Sequence, residues 1–375
     1  MPIKNFYIDN FSVFKDTKIE FCEGINVIIG ENGSGKTQLL KFLYALHESA
    51  SVENQNHDVQ NNGNVQNSKT KVDNGHEKRF EFIQKCFRPY SLDSLLNHSP
   101  HFFGITAPKT IGKIVLSLTE DIRYEFLAEN KTTTSGAASV TMAHFTSTIN
   151  NTHSNQSVFI PAKEMLTHST LFNMNEKYKD QMPYDYTYLK IIELARRWIV
   201  AETPNIAKSM KEKIEKIVKG EVLVKEDGSF WMKKYNGFEI PFSNEADGIK
   251  KFGLLWQLLM NESITKDTLL FWDEPENSIN PKNIPDIVEA LLEIQKFGVQ
   301  VFITTHNYYL ARYFDILKRD QNKVKYVNLY IDENNFAKIN QAYSYLDLDI
   351  NSIDDAGERF YNDVVQKAIK ETNDE

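Results

Sequence analysis

The sequence of 375 residues predicts an α/β fold built around a parallel or mixed sheet. A glycine-rich loop, Gly30–Thr37, lies between a short apolar strand and a helix, and apolar strands alternate with helices in the last third of the chain. Strands that are apolar throughout and alternate with helices are typical of a parallel sheet covered on both faces. The length is enough for one large domain, or two modest ones, with a buried core.

The first 48 residues predict three strands and one helix around the glycine-rich loop. A first strand lies within residues 3–14, and residues 17–21 and 25–29 form a strand pair with Glu23-Gly24 as its turn. Residues 38–47 place their leucines on one side at helical spacing, which predicts a helix directly after the loop.

Residues 49–78 are rich in Asn, Gln, Ser and Asp and almost lack large apolar side chains, so we expect a flexible insertion. Residues 79–180 resume an ordinary composition, with a helix over 80–87 and strands at 114–118 and 122–126. Together with residues 1–48 they are predicted to form the nucleotide-binding lobe.

Residues 181–260 predict a mainly helical lobe. Helical spacing covers residues 186–219 with a break near Pro204, a hairpin turns at Asp227-Gly228, and a helix covers residues 246–259. One helix carries a row of lysines, which we interpret first as a solvated face and second as a contact for nucleic acid or an acidic partner. The row consists of Lys208, Lys211, Lys213, Lys216 and Lys219.

Residues 261–375 predict the C-terminal part of the sheet core. Strands are expected at residues 268–272 and 299–304, each followed by a helix, over 285–296 and 308–317. The predicted fold is therefore an α/β P-loop NTPase, with a mixed or parallel core, an N-terminal antiparallel β lobe and a helical lobe.

The glycine-rich loop reads Gly30-Glu31-Asn32-Gly33-Ser34-Gly35-Lys36-Thr37, the full P-loop pattern. The glycines allow backbone N–H groups to surround the phosphates, and the following helix points its positive end at the same anion. Lys36 is expected to reach the β- and γ-phosphates of ATP, and the Thr37 hydroxyl to coordinate Mg²⁺.

Two further strand ends carry candidate catalytic residues. Asp273, at the end of an apolar strand, is placed to hold Mg²⁺, and Glu274 can deprotonate the attacking water. His306 follows the next strand and could contact the γ-phosphate. Each of these residues alone could simply be the end of a strand. Because they occur together with a P-loop, we favour the catalytic interpretation.

These motifs, with Asn10-Phe11 and Asp273-Glu274-Pro275-Glu276, resemble the ABC-type ATPase heads. Within that class the chain is similar to the RecF and SMC group and to short bacterial relatives that include stand-alone ATPases of phage-defence systems. The resemblance covers about the first fifty residues and residues 243–310. It implies a homodimer, or a higher homo-oligomer, in which ATP lies between two heads.

The chain departs from that pattern in the segments that would complete the partner's site. The counterpart of the signature motif is Ala246-Asp247-Gly248-Ile249-Lys250-Lys251, with no serine at Ala246, and whether Ser243 or Asn244 substitutes stays open. The D-loop counterpart ends in Asn280, where an aspartate is usual. The Q-loop position falls within residues 160–164, without a glutamine.

Composition limits the remaining choices. The net charge of −8 argues against a broadly basic surface but allows a local basic groove. Two cysteines, no apolar run of membrane-spanning length and no signal-peptide pattern predict a cytoplasmic protein with reduced thiols.

The favoured function is an ATP hydrolase that couples its cycle to a co-encoded effector, in anti-phage defence. A RecF-like DNA-repair ATPase and an ATP-binding scaffold with little turnover are the alternatives. A transporter subunit is less favoured because the signature is atypical. A fused nuclease is less favoured because Asp347 and Asp349 lack an acidic, glycine-rich segment before them.

Overall fold

The computed structural model describes seven segments of the chain: residues 1–51, 74–87, 111–118, 123–132, 138–147, 156–173 and 184–373. Their strands are β1 (Asn5–Asp9), β2 (Thr17–Glu20), β3 (Ile25–Gly30), β4 (Ile111–Ser117), β5 (Arg123–Thr132), β6 (Ala138–Ser147), β7 (Ser157–Ile160), β8 (Gly220–Val224), β9 (Phe230–Lys234), β10 (Glu239–Pro241), β11 (Leu269–Asp273), β12 (Gln300–Thr305), β13 (Val324–Ile331) and β14 (Ala337–Ala342). Their α-helices are α1 (Lys36–Ser51), α2 (Asn74–Phe87), α3 (Tyr186–Ala195), α4 (Asn205–Val218), α5 (Asp247–Met260), α6 (Ile284–Lys296), α7 (Tyr308–Leu317) and α8 (Ser352–Asn373).

A six-stranded mixed sheet forms the core, in the order β14-β13-β3-β12-β11-β7. Every pair is parallel except β13 with β14. Strands β3, β11 and β12 are buried along their whole length, as expected for strands with helices on both faces. The α/β P-loop fold predicted from the sequence is confirmed.

The parallel register brings three strand ends to one edge of this sheet. Asp273 lies opposite Thr304, and Thr305 lies opposite Ile29. Gly30 therefore ends its strand beside the residues that end β11 and β12. The candidate chemistry collects at this carboxyl edge, as is usual for open α/β sheets.

A five-stranded antiparallel sheet, β2-β1-β4-β5-β6, covers one side of the core. An aromatic cluster connects this sheet to α1 and α2. The ring of Phe11, just after β1, lies 6.1 Å from that of Phe126 in β5 and 5.4 Å from that of Phe42 in α1, and the rings of Phe42 and Phe87 in α2 are 4.5 Å apart. Each fully buried ring contributes roughly 1.5–3 kcal/mol of transfer free energy, so this cluster fixes the position of the helix that follows the P-loop.

A third layer combines α3, α4 and α5 with the small sheet β10-β9-β8. Helix α4 buries Met210, Ile214 and Val218. Of its lysines, Lys213 pairs with Glu289 and Lys211 lies 3.8 Å from Glu215. These ion pairs agree with the solvated-face interpretation.

One predicted connection is wrong. Strands β2 and β3 do not form a hairpin, because β2 pairs with β1 while β3 lies between β12 and β13 in the other sheet. At the crossing, Gly24 passes so close to the backbone of Lys323 that a Cβ atom would lie 2.1 Å from the Lys323 carbonyl oxygen. The side chain of Asn26 bonds back to Cys22 and closes the loop.

Both ends of the predicted insertion at residues 49–78 belong to helices. Its first three residues belong to α1 and its last five to α2, and residues 52–73 lie outside the described part of the chain. The division into lobes stays a prediction. Among the described residues, no helix combines the length and the apolar character that crossing a membrane requires.

Candidate nucleotide site

The P-loop adopts the conformation that its glycines predict. Gly30, Gly33 and Gly35 have φ angles of +143°, +83° and +93°, which side chains rarely tolerate. At Gly30 a Cβ atom would also lie 2.1 Å from the carbonyl oxygen of Leu329. Glu31, Asn32 and Gly33 are exposed at the loop surface, whereas Ser34 is fully buried.

Lys36 lies buried beneath this loop. Its Nζ donates hydrogen bonds of 2.8 Å to the carbonyl oxygen of Gly30 and 2.7 Å to that of Glu31. Burial lowers its pKa, while the nearby carboxylates of Glu274 and Asp273 act in the opposite direction. An anion at the loop would favour the charged form that phosphate binding requires.

Thr37 and Asp273 meet across the site. The Thr37 hydroxyl donates to the two carboxylate oxygens of Asp273 at 3.0 and 3.2 Å, and Thr304 donates to the same carboxylate at 2.5 Å. Burial raises the pKa of Asp273, so a cation here would supply a missing counter-charge.

These residues fit Mg²⁺, which prefers oxygen ligands and normally keeps waters and phosphate oxygens in its shell. Within the described segments, no three His, Cys, Asp or Glu residues cluster in a way that could hold a metal ion. The ion would therefore be held by Thr37 and Asp273 together with the nucleotide.

Glu274 and His306 form the outer wall of the site. The ring Nδ1 of His306 lies 3.1 Å from Oε1 of Glu274, and both side chains reach solvent. The backbone of Glu274 is left-handed, with φ of +46°, and its N–H donates to the Thr304 carbonyl at 3.1 Å. This bend directs Glu274 away from the line of β11.

A pocket of about 260 Å³ joins the P-loop to Glu274. It is lined by Ser12, Asn32, Gly33, Gly35, Lys36, Thr37, Gln38 and Glu274. Pockets that enclose a whole small molecule usually span roughly 300–1,000 Å³, so this one suits the phosphates rather than a complete nucleotide.

Gly248 and Asn280 lie outside that pocket. The segment that contains Gly248 lies close to the segment that contains Asn280. A Cβ atom on Gly248 would lie 3.0 Å from the carbonyl oxygen of Ser278, which leaves little room for a side chain. Asn280 is exposed, and its side chain accepts a hydrogen bond from the N–H of Lys282. The signature and D-loop counterparts therefore form one surface.

The sequence places Glu276 and Lys251 within motifs but predicts no role for them, and the structure shows both buried near Glu274. Glu276 accepts a 2.6 Å hydrogen bond from Thr305, and burial raises its pKa. Lys251 of α5 donates to the main-chain oxygen of Glu274 at 3.0 Å. Lys251, Leu255 and Leu258 share one helical face, so a lysine within an apolar stripe was the available signal.

In the Q-loop counterpart, the side chain of Glu164 is held by hydrogen bonds to nearby residues. Glu164 accepts hydrogen bonds from the backbone N–H and hydroxyl of Thr167, at the start of a short 3₁₀-helix. Lys250 of α5 donates to the Thr167 hydroxyl at 3.1 Å. A glutamate thus stands in the segment where a glutamine was expected.

Family profiles agree with this geometry. The profile described as "AAA ATPase domain" matches residues 1–196, more than half of the chain, and one described as "AAA domain, putative AbiEii toxin, Type IV TA system" matches residues 141–312. Fold and site define an ABC-type ATPase head of the RecF/SMC-like group. The chain belongs to the AAA ATPase domain family.

Individual relatives match less broadly. The DNA replication and repair proteins RecF of Caldanaerobacter subterraneus and Pediococcus pentosaceus are each 46% identical over 46 residues, which is 12% of this chain and only 13% and 12% of theirs. The SMC head domain of Thermotoga maritima is 14% identical, with 91% of this chain and 99% of that one covered at a TM-score of 0.41. An SMC head bound to the C-winged helix domain of ScpA is 12% identical, with coverage of 91% and 98% and a TM-score of 0.48.

Proposed function

We propose that this ATPase hydrolyses Mg-ATP between the heads of a homodimer and couples the cycle to an effector protein in anti-phage defence. The observation that carries the proposal is the position of Glu274. Its carboxylate lines the pocket that contains Lys36 and Thr37, and it lies 3.1 Å from His306. A general base must lie within hydrogen-bond reach of the proton that it removes, and Glu274 shares its pocket with the P-loop residues that would hold the phosphates.

The chemistry follows from four side chains. Glu274 accepts a proton from water as the water oxygen bonds to the γ-phosphorus and the bond to the β–γ bridging oxygen breaks. Lys36 neutralises charge on the phosphate oxygens, and His306 orients Glu274. Thr37 and Asp273 would hold Mg²⁺, which would further neutralise negative charge on the phosphates.

The need for a second head rests on the N-terminus of α5. This helix begins after Ala246, which makes no side-chain cap, and Ser243, Asn244 and Asp247 beside it are exposed. The first N–H groups of a helix favour an anion. Because the P-loop pocket is small and Gly248 lies outside it, we assign this helix end to the ATP of the partner head.

The role in defence rests on the family. The description of the profile that matches residues 141–312 names a toxin of a TA system, and from this description we infer that a second protein acts with the ATPase. The resemblance of the motifs to phage-defence ATPases agrees with such a pairing. A pull-down with the Glu274→Gln protein and ATP would identify the effector.

A RecF-like role on DNA is the second candidate, supported by the similarity to RecF proteins. The exposed lysines of α4, Lys208, Lys211 and Lys216, offer a surface for phosphate contacts. ATP-dependent binding to duplex DNA that is lost when these three lysines become glutamates would favour this candidate over a protein effector.

Glu274→Gln tests the catalytic assignment. The amide keeps the size of the side chain but cannot accept the proton, so kcat should fall by about 10²–10⁴ while the Kd for ATP stays unchanged. Glu262→Gln is a matched control, because Glu262 also has a left-handed backbone, with φ of +56°, but follows the far end of α5. If both variants hydrolyse ATP at the wild-type rate, Glu274 is not the base.

A further inference from the structure

Helix α5 carries two consecutive buried lysines that contact two different loops. Lys250 is 4% exposed and Lys251 is 3% exposed. A buried ammonium group is unfavourable unless charges or hydrogen bonds compensate it. The Nζ of Lys250 donates hydrogen bonds to the carboxylate of Asp247 at 2.9 Å and to the hydroxyl of Thr167, near the Q-loop counterpart, at 3.1 Å. Lys251 points the other way, to the loop after β11.

Lys251 holds the backbone of the catalytic residue. Its Nζ lies 3.0 Å from the carbonyl oxygen of Glu274. The N–H of Glu274 is held by Thr304, through the carbonyl at 3.1 Å and the hydroxyl at 3.2 Å. The peptide groups on both sides of Glu274 are thus anchored, one by β12 and one by α5.

The anchoring matters because Glu274 has an unfavourable backbone. A φ of +46° is uncommon for a residue with a side chain, and such a conformation persists only where the surroundings maintain it. Without the bond from Lys251, the peptide group after Glu274 could rotate towards an ordinary conformation. The carboxylate would then leave its position beside the pocket.

We propose that Lys251 is a positioning residue for ATP hydrolysis, which connects the helix that faces the partner head to the backbone of Glu274. Helix α5 makes both contacts that this connection requires. At its first turn, Gly248 packs against the carbonyl oxygen of Ser278, and one turn later Lys251 contacts the catalytic loop. Docking of a partner's nucleotide at this helix end would therefore act directly on Glu274. This inference rests on the proposed function.

The electrostatic surroundings support a charged Lys251 at neutral pH. Burial lowers its pKa to about 8, while the carboxylates of Glu276, Glu274, Asp273 and Asp247 favour the charged form. A charged donor makes a stronger hydrogen bond to a carbonyl oxygen than a neutral one. Arginine keeps a charged donor at this place, whereas methionine keeps only the length of the side chain.

The test compares kcat and ATP affinity in Lys251→Met, Lys251→Arg and Lys325→Met. Lys251→Met should lower kcat by about tenfold to a hundredfold, because displacement of a catalytic group by 1 Å has effects of this size. Its Kd for ATP should stay at the wild-type value, since Lys36 and Thr37 hold the phosphates. Lys251→Arg should recover most of kcat. Lys325→Met, which removes another buried lysine at the start of β13 and outside the candidate site, should keep kcat.

Three results would overturn the proposal: normal kcat in folded Lys251→Met, equal losses in both methionine variants, or no recovery with arginine. If Lys251→Met does not fold, Lys251→Gln takes its place. Glutamine lacks the charge and is one atom shorter, so kcat should again fall, and a normal kcat would overturn the proposal. The proposed function is judged separately by wild-type turnover and by Glu274→Gln. If Lys251→Met hydrolyses ATP at the normal rate and Glu274→Gln is inactive, only the positioning role of Lys251 is refuted.

Discussion

Acid should destabilise this protein through His47, a residue of the helix that begins at the P-loop. His47 is 3% exposed, and its Nδ1 lies 2.6 Å from the hydroxyl of Ser157 on β7. Burial lowers its pKa from 6.5 to about 3, so the folded protein keeps the ring neutral where the unfolded chain protonates it. Between these two pKa values the unfolded state binds more protons, and the free energy of unfolding falls as the pH is lowered.

The size of the effect follows from the shift. Each pH unit below 6.5 removes about 1.4 kcal/mol, so lowering the pH from 7.5 to 4.5 removes about 2.7 kcal/mol through this one residue. His47→Gln keeps a hydrogen-bonding side chain but cannot titrate. Its free energy of unfolding should therefore fall by about 2.7 kcal/mol less over the same interval.

Urea unfolding at pH 7.5 and 4.5, followed for both proteins, measures this difference. Glu48 is half-buried, and desolvation raises its pKa, which gives a pH dependence of the opposite sign. Because Glu48 is present in both proteins, its contribution cancels in the comparison. Equal losses of stability in wild type and His47→Gln would refute the assignment of a buried, neutral histidine.

Two further predictions concern the P-loop. ATP at one hundred times Kd should stabilise the wild type by about 2.7 kcal/mol, which raises the unfolding temperature by roughly 3 °C for a chain of this length. The unfolding temperature of Lys36→Ala should not respond to Mg-ATP. An equal shift in both proteins would show that Lys36 does not bind phosphate. Gly30→Ala should lower the free energy of unfolding by about 3 kcal/mol or more, because the new methyl group would lie 2.1 Å from the Leu329 carbonyl oxygen; an unchanged urea midpoint would contradict the close approach.

The sequence predicts the local part of the site well, because its signals lie within a few residues. Gly30, Gly33 and Gly35 occupy the positive-φ positions that their pattern demands. Asp273 and His306 follow buried strands, and neighbouring parallel strands bring such ends together. Helix α7 begins and ends at the predicted residues, with Asn307 as its N-cap.

The remaining features depend on contacts between distant parts of the chain. Gly24 packs on Lys323, nearly three hundred residues away, and this contact separates β2 from β3. The bond from Lys251 to Glu274 depends on how α5 lies against the catalytic loop. Both contacts join residues that are far apart in the chain, so local periodicity does not reveal them. The predicted hairpin is therefore wrong, and the sequence assigns Lys251 no contact with Glu274.

The most direct test of the central claim, ATP held between two heads, is the mass of the Glu274→Gln protein in solution. Measured by light scattering with Mg-ATP, the mass should be at least that of two chains of 43.4 kDa, and with Mg-ADP that of one. Glu274→Gln should retain ATP, so the assembled state should persist during the measurement. A mass of one chain at saturating ATP, with binding of the nucleotide confirmed, would contradict the claim.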